Sequence, residues 1–232
     1  GFDTTDATIS GMAPNNCSLK CNNESDMLAA NGKSCIDKVY NALPTYVRTK
    51  GFEGTINAAV RQSTTGKMVY GGSFSYYTDN NGVRTNVKNI ARINTDGTLD
   101  TTFNTNIGTG VAGGTVQSLA LDASNNIYVG GSFSSINGFN SNRIAKLGIN
   151  GNFDTNFQTN IGNTTTGGFN NGQVSVIKVS GSTLYVGGSF TNWKGSTNAA
   201  RYIAKLSDAG IFDTGFQGNV GTGTTGGFQE RE

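Results

Sequence analysis

The sequence predicts a mostly β fold, built from three antiparallel β-sheet repeats and a small N-terminal segment that contains a helix. Two observations predict it. Gly accounts for 34 of the 232 residues and Pro for only 2, which is typical of many short strands joined by tight turns. The same succession of motifs also occurs three times along the chain, and such internal repetition indicates a repeat architecture.

Each repeat is centred on a strand with paired glycines, preceded by a strand in which polar and apolar residues alternate. The glycine strands are Met68–Phe74, Ile127–Phe133 and Leu184–Phe190, and the preceding strands are Ile56–Val60, Val116–Leu121 and Val174–Val179. Alternation places Val116, Ser118 and Ala120 on one face of the second repeat. Paired glycines weaken a strand unless a bulge or a close backbone approach requires them, so we expect a crowded sheet centre. Valine at Gly130 or Gly187 should therefore destabilise the fold strongly.

A third strand, a turn and an aromatic motif complete each repeat in the same order. The third strands are Ile90–Ile93, Ile144–Leu147 and Ile203–Leu206, and the motifs after the turn are Leu99–Phe103, Phe153–Phe157 and Phe212–Phe216. Each motif contains one Asp, namely Asp100, Asp154 or Asp213. Calcium needs six to eight oxygen ligands, so we interpret these carboxylates as caps that bond to backbone rather than as metal ligands.

This order of motifs resembles the delta-sixty repeat, a family of β-propeller-like units, over about residues 51–229. The resemblance implies three propeller-like sheets. It implies no catalytic residues, because such repeats occur in varied bacterial surface proteins. Propellers usually close with four to eight blades. Three repeats are expected to close with a second chain as six blades, or to pack as a pseudo-threefold prism. The unpaired terminal edges predict a homo-oligomer, with a trimer favoured over a dimer.

Residues 1–50 form a separate N-terminal segment, and residues 51–232 form the repeat domain. Ser34–Asp37 fits a helix-capping box, and Pro44 ends the predicted helix. This helix is expected to cover a sheet edge or to bind a partner. The cysteines Cys17, Cys21 and Cys35 predict a disulfide, Cys17–Cys35 or Cys21–Cys35, with buried free thiols as the alternative. Three thiols without His leave a zinc site incomplete.

Composition excludes several classes of function. The chain has no His, a net charge of +2 and only 14% charged residues. It therefore lacks the commonest general base and the basic surface that nucleic acid requires. No stretch is long and apolar enough to span a membrane. We expect an extracellular or cell-surface protein that is not an enzyme and has no cofactor, metal, nucleic-acid partner or membrane insertion.

The loops after the paired glycines differ most between repeats and are the predicted binding site. Each combines aromatic rings, which stack on sugars, with polar groups that bond to hydroxyls. The candidate residues are Tyr76, Tyr77, Asp79, Arg84, Phe139, Asn140, Arg143, Asn192, Trp193 and Lys194. Trp193, expected to face solvent, would be the strongest anchor. The alternative is that these aromatics pack locally and order glycine-rich loops.

Three functions follow from these features. The first is adhesion or recognition at a cell surface or at the tip of a bacterial or phage fibre, with glycans or other surface polymers as ligands. The second is a purely structural repeat or assembly domain of a larger surface protein. The third is a carboxylate-dependent glycan hydrolase, which requires two carboxylates in one pocket.

Overall fold

The computed structural model describes residues 50–162, 167–194, 196–197 and 200–221. The predicted N-terminal helix, its capping box at Ser34–Asp37 and the cysteines Cys17, Cys21 and Cys35 lie outside these residues. The proposed N-terminal segment and its disulfide therefore stay predictions.

The described chain consists of sixteen strands and three short helices in three repeats. Repeat 1 contains β1 (Gly51–Arg61), β2 (Met68–Thr78), β3 (Arg84–Asn86), β4 (Ile90–Ile93) and α1 (Thr101–Ile107). Repeat 2 contains β5 (Val111–Ala112), β6 (Val116–Leu121), β7 (Ile127–Gly131), β8 (Ser135–Ile136), β9 (Phe139–Asn140), β10 (Ile144–Leu147) and α2 (Thr155–Ile161). Repeat 3 contains β11 (Phe169–Asn170), β12 (Val174–Ser180), β13 (Thr183–Gly188), β14 (Asn192–Trp193), β15 (Ser196–Thr197), β16 (Ile203–Ser207) and α3 (Thr214–Val220).

Each repeat forms an antiparallel sheet with the glycine strand at its centre, which confirms the predicted fold class. The three sheets are β1-β2-β4, β6-β7-β10 and β12-β13-β16. Repeats 2 and 3 each have a second, small sheet, β5-β8-β9 and β11-β14-β15. In repeat 1 the longer β1 and β2 continue into the corresponding region, where β2 also pairs with β3.

A β-bulge explains the second glycine of each pair. In repeat 2, Gln117 is the extra residue between Val116, which pairs with Gly131, and Ser118, which pairs with Gly130. A Cβ atom on Gly131 would collide with the backbone of the bulged strand. The same register shift occurs at Ile56/Ala58 in repeat 1 and at Val174/Val176 in repeat 3. Glycine recurs here because no side chain fits.

The bulge also changes which side chains share a face. Simple alternation places Val116 with Ser118, and this prediction is wrong. The extra residue turns Val116 onto the face of Leu119, and both side chains lie where a Cβ of Gly71 in the preceding sheet would stand. The first glycine of the pair therefore makes room for the next sheet.

A short helix follows each sheet, which the sequence analysis did not predict. The Asp before each helix accepts a hydrogen bond from the backbone N–H of the Phe three residues later, at 3.1 Å for Asp100, 2.9 Å for Asp154 and 2.8 Å for Asp213. Glycine ends all three helices. The Asp residues are thus N-caps, in line with a structural rather than a calcium-binding role.

The sheets pack face to face in chain order and are closest at their first strands. β6 packs against β1 and β2, and β12 packs against β6 and β7. Farther out, the helix of one repeat lies beside the turn of the next: a Cβ on Gly151 would stand 2.9 Å from Phe103, and one on Gly210 would stand 2.9 Å from Ile161. The helix residues Phe103 and Ile107 share a buried cluster with Ala145 and Leu147, as Phe157 and Ile161 do with Ala204 and Leu206. Sheets arranged in this way resemble neighbouring blades of a propeller.

A buried cation strengthens each joint between repeats. Arg92 pairs with Asp100 at 2.9 Å and donates a hydrogen bond to the carbonyl oxygen of Ile149 in repeat 2. Lys146 holds the same position in repeat 2 and donates to the carbonyl oxygen of Asp208 in repeat 3 at 3.1 Å. In repeats 1 and 2, a charged side chain therefore donates a hydrogen bond to the turn of the next repeat.

Candidate recognition surface

The candidate binding residues lie in three equivalent loops, residues 75–89, 134–143 and 191–202, called the rim loops below. Hydrogen bonds join neighbouring rim loops through the strands that precede each large sheet. The N–H of Val111 donates to the carbonyl oxygen of Lys88 at 3.1 Å, and the N–H of Phe169 donates to that of Asn142 at 3.2 Å. The loops therefore form one row along the repeats.

Two of the candidates in the first rim loop are structural. Tyr77 is buried, and its hydroxyl donates a hydrogen bond to the carbonyl oxygen of Gly97 at 2.7 Å. Burial and the nearby Asp79 carboxylate raise the pKa of this phenol above its usual value. The Asp79 carboxylate accepts from the N–H groups of Asn81 and Val83, both at 2.9 Å, and so shapes the turn.

The other candidates in this loop form an accessible aromatic and charged group. The Arg84 guanidinium lies 3.3 Å from the ring centroid of Tyr76, a cation–π contact. Its Nε and Nη2 donate to the two carboxylate oxygens of Glu53 at 2.6 and 2.7 Å. The hydrogen bond to Glu53 raises the pKa of Arg84. One face of the tyrosine ring is therefore covered by an oriented cation.

The second rim loop exposes a pre-oriented aromatic ring. Phe139 is 44% exposed and stacks on Phe153 with ring centroids 4.5 Å apart and an interplanar angle of 9°. Asn140, next to it in β9, is exposed. Arg143 differs, because its Nε donates to the carbonyl oxygen of Gly172 at 2.7 Å and burial lowers its pKa. Arg143 thus connects this loop to repeat 3.

The third rim loop corrects the prediction for Trp193. This side chain does not face solvent: it is 6% exposed and packs between Phe169 and Phe212, at centroid distances of 4.8 and 5.0 Å. Asn192 is half-buried in the small sheet, whereas Lys194 is exposed. The Lys194 ammonium lies 5.9 Å from the indole centroid, at the outer limit of a cation–π contact.

A shared packing rule explains why these aromatics are recurrent. In each repeat an aromatic from the rim loop packs with the apolar residue two positions after the turn glycine: Tyr77 with Leu99, Phe139 with Phe153, and Trp193 with Phe212. The signal was present in the sequence, because these apolar residues recur at equivalent positions. The loop aromatics therefore order the glycine-rich loops, and only the ring of Phe139 combines this role with wide exposure.

Two carboxylates of the described chain approach the same lysine. Asp122 and Asp154 each lie 4.0 Å from Lys146 Nζ. Both also have structural partners: Asp122 accepts from the N–H groups of Ser124 and Asn126, and Asp154 caps α2.

Among residues 50–162, 167–194, 196–197 and 200–221, no group of three or more Asp, Glu, Cys or His residues is arranged to hold a metal ion. No helix in this part of the chain has the length and apolar character to cross a membrane.

Comparison with known families supports the propeller-like arrangement. A family model described as a domain of unknown function (DUF5122) β-propeller matches residues 64–103 and 123–157, which lie in repeats 1 and 2. No curated protein matches the sequence. The chain is therefore similar, over parts of two of its three repeats, to a β-propeller family whose function is unknown.

Proposed function

We propose that the repeat domain is a non-catalytic recognition module of an extracellular or cell-surface protein, which binds glycans or other surface polymers through its rim loops. The observation that carries this proposal is the exposed Phe139 ring, held flat against Phe153. A ring fixed in this way loses little conformational entropy when it stacks on a sugar. Arg84 and Asn140 on the same row supply groups that bond to hydroxyls.

The buried loop aromatics are consistent with this role. Trp193 stacks on Phe212 and Tyr77 donates to Gly97, so both residues attach the described parts of their loops to the turn of the same repeat. Preorganised loops on a rigid scaffold are a common basis of recognition. In this proposal the domain is the tip of a bacterial or phage fibre of the delta-sixty-repeat type, with an adhesive function.

A structural or assembly role is the second candidate, and a specific observation favours it. Trp193, the largest aromatic side chain, is buried by packing and is not exposed to a ligand. We do not propose the hydrolase, because the carboxylates Asp122 and Asp154 are each engaged with Lys146 and with backbone N–H groups.

Glycan binding can be tested with the full chain on a glycan array, followed by titration of the best ligand. Phe139→Ala should weaken binding about tenfold or more, as expected when an aromatic anchor is lost. Ile211→Ala is the control, because Ile211 is 61% exposed and lies outside the rim loops. An array without hits, or equal binding by Phe139→Ala and the wild type, would contradict the proposal.

A further inference from the structure

The outer face of the third sheet exposes residues whose counterparts are buried. Tyr185 is 40% exposed, whereas Tyr128 at the same position of repeat 2 is fully buried. Val176, next to it on this face, is 54% exposed. Phe216 of α3 is only half-buried, whereas Phe157 of α2 is buried. Val176, Tyr185, Gly187 and Phe216 are called the C-terminal face below.

The C-terminal face also has a depression that the other repeats fill. A Cβ on Gly130 would stand 2.6 Å from Val174 and 3.0 Å from Ile177 of the next sheet. Among the described residues, a Cβ on Gly187 would meet Val176 of its own sheet at 2.9 Å and the carbonyl oxygen of Tyr202 at 3.7 Å. No other sheet of the described chain covers Gly187, whereas in the internal joints the next sheet inserts two aliphatic side chains at this position.

The first strand of repeat 1 carries the matching aliphatic side chains. Ile56 and Ala59 correspond, through their pairing with the glycine strand, to Val116 and Leu119 of repeat 2. In repeat 1 both are exposed, and Ile56 is 44% exposed. The two ends of the array thus expose faces equivalent to those joined inside it, although Val176 and Lys178 stand at the register positions of Ser118 and Ala120 in repeat 2.

We propose that the C-terminal face binds the first strand of repeat 1 in a second copy of this chain, with Ile56 and Ala59 over Gly187. Two copies then form two equivalent joints and a ring of six repeats. This number lies within the four to eight blades of propellers, whereas three copies would give nine. For a chain of these 232 residues, the number of repeats therefore favours a dimer over the trimer expected from the sequence.

The joint between copies differs from the internal joints in one respect. In repeats 2 and 3, an Asn of the preceding helix donates to the carbonyl oxygen of a turn residue: Asn106 to Asn150 at 2.9 Å, and Asn160 to Ala209 at 2.8 Å. In repeat 1 the corresponding oxygen, on Asp96, accepts instead from the rim-loop residue Asn80 at 3.1 Å.

The rim loop of repeat 1 therefore occupies the place of a preceding helix. The joint between copies then consists of contacts between the two sheets. It lacks the contact that the preceding helix makes with the turn in an internal joint. Since less apolar surface is buried than in an internal joint, we expect a dimer that dissociates on dilution.

Sedimentation velocity of the full chain over a range of concentrations, with reductant present, tests this proposal. Val176→Asp alters the C-terminal face and Ile56→Asp alters the first strand; both positions are exposed, so the fold should persist. Each variant should weaken dimerisation about tenfold or more, because a charge replaces an apolar contact. Ile211→Asp, at an exposed position outside the first strand, the rim loops and the C-terminal face, is the control and should dimerise like the wild type.

Mixing the two interface variants distinguishes this pairing from others. Val176→Asp keeps an intact first strand and Ile56→Asp keeps an intact C-terminal face, so a mixture should form a dimer with one native joint. A wild-type chain that stays monomeric at high concentration would overturn the proposal. So would full dimerisation of Ile56→Asp, which would mean that two C-terminal faces pair with each other. The proposal would also be overturned if mixing the two variants did not restore dimerisation. None of these outcomes depends on glycan binding at the rim.

Discussion

Gly130 and Gly187 hold the same position in their sheets but have different surroundings. From the sequence both were expected to be equally intolerant of valine. Because Gly130 is covered by the next sheet and Gly187 is not, we expect Gly130→Val to lower the free energy of unfolding by about 2–3 kcal/mol and Gly187→Val by less than about 1 kcal/mol. Urea denaturation of dilute protein measures both. Equal losses would show that the sheet itself, rather than the next repeat, requires glycine.

Trp193 illustrates how a residue can have the chemistry of a binding anchor and yet a structural role. Because the indole is buried between two phenylalanines, Trp193→Ala should cost about 3–5 kcal/mol of stability. Phe139→Ala should cost clearly less, since that ring is already partly exposed. Thermal unfolding of the two variants side by side gives the comparison. If the Trp193→Ala protein keeps the wild-type Tm but binds glycan less tightly, Trp193 is the binding anchor expected from the sequence.

Within the helices, Asp100 does more than cap α1. Its carboxylate accepts from the N–H of Phe103 and pairs with Arg92 at 2.9 Å and Lys67 at 2.6 Å. Burial alone would raise the pKa of Asp100, but Lys67, the N–H of Phe103 and Arg92 together lower it below the usual value.

This shift predicts a pH dependence of stability. The folded pKa lies below the value of about 3.9 in an unfolded chain, so the carboxylate contributes stability that is fully present above about pH 4. The contribution is lost as the pH falls through the folded pKa. In denaturation experiments between pH 6 and pH 2.5, Asp100→Asn should lose less stability on acidification than the wild type, from a lower starting value.

Lys67→Met provides an independent check of the same ion pair. Without the ammonium group the pKa of Asp100 should rise towards its unfolded value, so acidification should remove less stability than in the wild type. A curve that coincides with the wild type would mean that Lys67 does not interact with Asp100 in solution.

The elements differ in how far the sequence predicts them. The three sheets follow from the repeated motifs, since strand length and glycine positions are local properties of the chain. The helices were missed because Thr and Asn are poor helix formers, although an Asp cap, Phe and Ile four residues apart and a closing Gly mark them in α1 and α2. The burial of Trp193 could not be predicted, because its partners Phe169 and Phe212 lie on separate elements.

At the scale of the whole molecule, the repeats form an array in which each sheet depends on its neighbour. Repeat 2 is covered on both faces, by repeat 1 and by repeat 3. Repeat 1 covers part of its own outer face with a rim loop, through Asn80 and Tyr77. Repeat 3 has no such cover among the described residues. In arrays of this kind, stability is roughly the sum of repeat and interface contributions, so the joints decide where unfolding begins.

The array should therefore open first at its C-terminal end. The helix α3 has the same length, cap and closing glycine as α1 and α2, but Gly215 and Gly218 lie within it and lower its intrinsic stability. Its packing also differs: Phe103 and Phe157 are buried, whereas Phe216 is half-buried. In hydrogen exchange of dilute protein, the amides of α3 should exchange about tenfold faster or more than those of α2, since local opening follows the burial of apolar contacts. The Val176→Asp chain at low concentration, where it should be monomeric in our proposal, is the reference state. Equal protection of all three helices in that chain would mean that the array opens as a single unit, and that the exposure of Phe216 has no effect on the stability of α3.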